Sequence, residues 1–164
     1  MKPKTSEQKI VERIAKVRKA ARRASKSKSR FADYRYLRAV LRACDYFLDE
    51  DLLSQLSEIA PSVLMTPVRK SWHPIRIIIE ATCHQQTGKM RSRWTRALEF
   101  AIARKVDPDQ LPKFFQANGG IAGAADMASK TRPKRAAPRR LINRVFALPR
   151  QGAGLRSNPA RTPR

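Results

Sequence analysis

Basic side chains crowd the two ends of this chain and leave its middle close to neutral, and that segregation constrains where a compact fold can form. Residues 1–30 carry 12 basic and 2 acidic side chains, residues 31–128 carry 13 and 11, and residues 129–164 carry 11 and none. Like charge gathered in a compact state repels itself, so a core is expected where charge balances and apolar residues recur. The sequence therefore predicts an all-α chain in three parts. These are a basic helical arm over 1–30, a compact multi-helix core domain over 31–128, and a basic Pro/Arg-rich tail over 129–164. The tail holds five of the eleven prolines and no acid, so most of it is expected to be disordered on its own.

The whole chain reaches a formal +23, with 36 Lys plus Arg against 13 Asp plus Glu and a pI near 11.4. An excess of that size is usually kept because a polyanion neutralises it and releases counterions, and nucleic acid is the commonest such partner. Arginine outnumbers lysine 23 to 13, which suits forked contacts to phosphate oxygens or guanine edges. Length and a 41% hydrophobic content allow one domain with a modest aliphatic core. No apolar run approaches the ~18 residues of a membrane span, and the N-terminus leads into a charged segment without a signal-peptide core. A cytoplasmic, nucleoid-associated chain is expected, or a nuclear one in a eukaryote. Cys44 and Cys83 lie on apolar stretches at no framework spacing, so reduced, buried thiols are expected.

Apolar spacing places the helices. Ile10, Ile14, Val17, Ala21 and Ala24 recur every three or four residues behind a Thr5/Gln8 capping box, which predicts a helix over about 6–25. The Ser/Lys run 25–29 breaks it. Tyr34, Leu37, Leu41, Cys44 and Leu48, joined by Val40 and Phe47, line one face of a helix over about 31–48. Asp49 is then expected to cap a short helix bearing Leu52, Leu53, Leu56 and Ile59, which Pro61 ends. After an irregular stretch, Pro74 suits the first turn of a helix to about Gln86, with Ile75, Ile78, Ile79 and Cys83 inward. The β-branched run permits a strand there instead. Gly88 ends that element, and Met90, Trp94, Leu98, Ala101 and Ile102 mark the next helix, to about Lys105. Asp107 to Gln110 starts a short helix, Asn118-Gly119-Gly120 ends it, and a small-residue helix over 121–128 follows. A short amphipathic helix over 138–148 is the one element expected in the tail.

The stretch from Leu111 to Ala128, a helix, a double glycine and an alanine-rich helix, resembles the first part of a Fis-type helix-turn-helix, where small residues let two helices cross closely. A recognition helix should then begin within about four residues. Residues 131–138 hold two prolines and cannot supply it, and Arg139, Arg140, Asn143 and Arg144 follow only after too long a turn. A plain helical hairpin therefore stands beside that reading. Arginine stripes are a second signal. Arg93, Arg96 and Arg104 share a face of the Met90 helix with Phe100, expected to be exposed there as a stacking ring, while Arg35, Arg38 and Arg42 share the face of the Phe31 helix opposite its core stripe. A solvated helix face is the alternative for each. The residues expected to bind nucleic acid are Arg18, Arg22 and Arg23 on the arm, Arg93, Arg96 and Arg104 on the core, and Lys134, Arg135, Arg139, Arg140 and Arg144 in the tail.

Catalysis finds little support. Cys83 and His84 are adjacent and so point about 100° apart on a helix, and neither C-x2-C nor H-x3-H spacing occurs, so no metal and no cofactor are expected. The acids 49–51 are explained by a helix N-terminus. No phosphate loop, nucleophile elbow or dinucleotide fingerprint is present, so an enzyme is not expected. The N-terminal stripe of Ile, Val and Ala lacks the Trp, Phe and Leu of membrane-surface helices, and no membrane partner is expected. The leading expectation is a DNA-binding accessory, regulatory or chromosome-organising protein. An RNA-binding or ribosome-associated protein is the first alternative. A helical module that binds a protein partner or a second copy of itself, tethered to polyanions by its ends, is the second.

Overall fold

Seven α-helices and one 3-10 turn, with no strand, make up the fold among the residues described by the computed structural model, which are 4–131 apart from Lys28, Arg30, Val63 and Lys70. Helix α1 (Ser6–Lys26) starts at the Thr5/Gln8 capping box, with both reciprocal hydrogen bonds made. Its stripe is not the face of a free arm. Ile10, Ile14 and Val17 are at most 2% exposed and belong to the hydrophobic core of the described residues, together with α2, α3 and α4. The boundary expected at residue 30 therefore does not separate an arm from a domain. Four small or aliphatic side chains are enough to seat the helix, because the long stems of the surrounding Lys and Arg residues carry their charges out to water. Several of those cations also tie α1 down. Lys9 pairs with Glu50 at 2.6 Å, and Arg13 donates to the Arg42 carbonyl at 2.9 Å and lies over the Tyr46 ring.

Helix α2 (Ala32–Asp49) runs through the middle of the core. Tyr36, which the expected stripe omits, is 1% exposed; its hydroxyl shares a 2.8 Å hydrogen bond with Thr82 and its ring leans on Trp94. Leu48, expected inward, is 64% exposed. The chain reverses through Asp51, at φ 54°, and Leu52 enters the core in its place. The acids 49–51 consequently lie at the C-terminal end of α2 and do not cap α3 (Leu53–Ser62), which starts beyond them. There the helix dipole disfavours them, and Lys9 offsets Glu50.

The β-branched run folds as α4 (Pro74–Thr82), not as a strand. It ends four residues earlier than expected, because Cys83 leaves the helical region and Arg18, from α1, donates to the Ala81 carbonyl at 2.9 Å. Cys83 is only partly buried, whereas Cys44 is buried and its thiol is pushed up to about 11 by desolvation. Helix α5 (Gly88–Ala103) is clasped to α4 by Glu80, which pairs with both Arg76 and Arg91. The Asp107 side chain caps a 3-10 turn, Pro108–Gln110, that leads into α6 (Leu111–Ala117). Helix α7 (Gly120–Thr131) then lies along α5 with Ala124 and Ala125 fully buried.

Helices α6 and α7 form a hairpin, and α7 runs three residues past the expected core boundary at 128. The region where a recognition helix would have to stand, the expected disordered tail from residue 132, and the helix expected over 138–148 lie outside the described residues.

His73 caps α4 with its ring. Its Nδ1 accepts from the Ile75 N–H at 3.3 Å, which a protonated imidazole cannot do. Burial holds the imidazole below its ordinary value, against a smaller opposite pull from Glu99. The unfolded chain thus binds a proton more readily than the folded one, so this contribution is present above the ordinary imidazole range near pH 6.5 and is lost as pH falls through it. The melting temperature is expected to fall between about pH 7.5 and about pH 5.5. His73→Asn, which keeps a capping acceptor, should lessen that fall by at most the ~1 kcal/mol of a cap. Equal falls in the two proteins would assign the effect to other groups.

Candidate nucleic-acid interface

Helices α1 and α2 are joined by five residues and pack on one another, so the cations on their outward edges meet. On α1, Lys16, Lys19 and Arg23 follow at i, i+3 and i+7; on α2, Arg35 and Arg38 follow at i and i+3. Together they line a groove of about 520 Å³ whose remaining lining residues are Ala20, Ala24 and Ala32. No carboxylate lines it and no aromatic ring does. Among the described residues, Lys16, Lys19, Arg23 and Arg35 make neither an ion pair nor a side-chain hydrogen bond. Arg38 is the exception, 3.6 Å from Asp109, to which Arg42 also pairs. Such solvent-exposed pairs contribute little to stability, so Arg38 is released at small cost.

The spacing is suited to a polyanion. Seven helical residues span about 10.5 Å, so the α1 row from Lys16 to Arg23 covers about three steps of the ~3.4 Å axial rise between phosphates on one strand of a duplex. Alanine walls let a backbone approach closely, and with Asp109 beside Arg38 alone among the five cations, the field in the groove is strongly positive.

The expected site residues fare differently. Of the three on α1, Arg23 enters this groove. Arg22 instead lines a second cleft on the other side of the helix, with Asp33, Cys83 and His84, and Arg18 is engaged there by the carbonyls of Ala81 and Leu64. On α5, Arg93 is half-buried, Arg96 donates to the Ser129 hydroxyl at 2.9 Å, and Arg104 is exposed over the Phe100 ring at 5.2 Å. Phe100 itself is not the exposed stacking ring expected: it is 5% exposed and packs on Phe114 at a centroid distance of 5.6 Å. Phe114 comes from α6, so a tertiary contact that spacing along α5 does not reveal takes up the ring, while α4 and α7 pack along the same helix. Lys134, Arg135, Arg139, Arg140 and Arg144 lie outside the described residues.

Lys16, Lys19, Arg35 and Arg38 are not among the residues expected to bind. The signal that finds them is the matched three-and-four spacing on consecutive helices with a short link. Among the described residues, no three His, Cys, Asp or Glu side chains gather as a metal ligand set, and no helix is long and apolar enough to cross a membrane. The chain matches no protein-family model, no curated protein and no solved structure.

Proposed function

We propose that this protein binds nucleic acid through its phosphate backbone, DNA before RNA, with the α1–α2 groove as the fixed part of the grip. The observation that carries the reading is the groove of five cations lined otherwise by alanine alone. A lining without aromatic rings or amides offers nothing to a base edge or face, so the groove would take phosphates and set position without reading sequence. That suits an accessory, regulatory or chromosome-organising role on DNA. Lys134, Arg135, Arg139, Arg140 and Arg144 would add charge-driven affinity of the same sequence-blind kind.

The test is the salt dependence of binding to a short duplex. Wild-type affinity should fall about 10³ to 10⁵ between roughly 50 and 200 mM salt if ~6 to 10 phosphates are neutralised. A Lys19→Gln, Arg23→Gln, Arg35→Gln variant should lose about 2.7 from the slope of log K against log salt, at ~0.9 per phosphate contact. A control carrying Lys89→Gln, Lys113→Gln and Lys130→Gln removes the same charge from exposed positions elsewhere and should lose less than about 1. Equal losses would reduce the groove to a solvated surface.

A further inference from the structure

The arginine row on α2 continues beyond the groove into an aromatic ring. Phe31 precedes Arg35 by four residues, Arg38 by seven and Arg42 by eleven, so the four side chains stand in one line along the helix. Among the described Phe, Tyr and Trp residues Phe31 is the one exposed ring, at 48%, while Phe47, Trp94, Phe100 and Phe115 are buried. The ring of Tyr34 supports it edge-on at a centroid distance of 5.7 Å, and Tyr34 leans in turn on Phe115 at 5.4 Å. The ring does not itself line the groove, but it adjoins the lining in the chain, next to Ala32 and one helical turn before Arg35.

We infer that Phe31 is a stacking contact for an unpaired base at the end of the phosphate run held between α1 and α2. The preferred ligand is then a duplex that opens into a single-stranded end, gap or junction. The inference rests on the reading of the groove as a phosphate site. In a continuous duplex each base is stacked on both faces and none is free for the ring. Where pairing stops, one face becomes available, and a phenyl ring with no hydrogen-bonding group takes any base equally, in keeping with the groove's indifference to sequence. A protein partner would want a contiguous apolar patch around such a ring. Phe31 has instead Arg35 and Arg38 along its line, with the exposed Lys26 at the end of α1 and the exposed Ser29 in the link before it.

Three probes separate the terms: a blunt duplex, the same duplex with a single-stranded overhang, and that overhang with an abasic residue at the junction. Wild-type protein is expected to bind the overhang duplex about tenfold more tightly than either of the others. Phe31→Leu keeps an apolar contact with Tyr34 but removes the ring. It should abolish the preference while leaving blunt-duplex affinity and its salt slope unchanged, and Phe31→Trp should restore the preference. Matching melting curves would establish that all variants are folded. Wild-type affinities that do not differ among the probes, or a preference that survives Phe31→Leu, would overturn the inference. Failure of the groove reading would appear separately, as a blunt-duplex salt slope unmoved by the Lys19, Arg23 and Arg35 substitutions.

Discussion

A chain lacking residues 1–26 is expected not to unfold cooperatively. This outcome is expected because α1, for all its charge, supplies Ile10, Ile14 and Val17 to the core at 0%, 1% and 2% exposure. Burying each such side chain contributes roughly 1.5–3 kcal/mol, so the three together contribute on the order of 5–9 kcal/mol, with the extended-chain reference making this an upper figure. A domain of this size has only about 5–15 kcal/mol in total. Their loss also uncovers the faces of α2, α3 and α4 on which α1 lies. Thermal melts followed by circular dichroism should be broad and weak for the truncated chain, with bound hydrophobic dye in place of a sharp transition. A chain ending at residue 131 keeps every buried side chain named above and should melt as one unit. Ile14→Ala is the milder version, expected to cost about 2–5 kcal/mol. A sharp melt of the chain beginning at residue 27 would return α1 to the status of an arm.

What the sequence could reveal of this fold follows from which signals are local. The start of α1 is written in Thr5 and Gln8 and its inward face in the three-and-four spacing of Ile10, Ile14, Val17 and Ala21, and both are seen. Whether that face is covered is a tertiary fact. The charge count argued against it, because a count cannot register that Lys and Arg heads leave the surface while their stems pack. The same distinction separates Phe31 from Phe100. Each sits at helical spacing from arginines, but Phe100 is buried with Phe114 of α6 packed on it, while no element covers Phe31 completely. The early end of α4 depends on Arg18 reaching across from α1. The groove itself was half visible: the Arg35 row could be read on one helix, and its match with Lys16, Lys19 and Arg23 emerges only once α1 is known to pack on α2.

Gly123→Ala is expected to destabilise the protein, although an alanine inside a helix ordinarily gains about 1 kcal/mol over glycine. Gly123 lies in the first turn of α7, and a Cβ built there would fall against the backbone carbonyl of Asn118, inside van der Waals contact with its oxygen. That carbonyl is held over the helix by the turn before it, where Gly119 and Gly120 take φ values of 74° and 81°, a left-handed backbone that glycine adopts without penalty. It is held also by Asn118 itself, whose side-chain amide donates to the Phe114 carbonyl at 2.8 Å. Because the obstacle is backbone and not the end of a flexible side chain, relief requires the α6–α7 turn to open. Opening it would lift Ala124 and Ala125 from their buried positions along α5. Overpacking of this kind costs about 1–3 kcal/mol and exceeds the helix-propensity gain when the neighbour cannot move, so a net loss of about 1–2 kcal/mol and several degrees in melting temperature is expected. Gly88→Ala is the matched control, since nothing stands within 4 Å of a Cβ at that position in the first turn of α5. It should be neutral or stabilising by up to about 1 kcal/mol through the unfolded chain's entropy. If both variants melt at or above the wild-type temperature, Asn118 does not press on α7 as described and the hairpin is held by α5 alone.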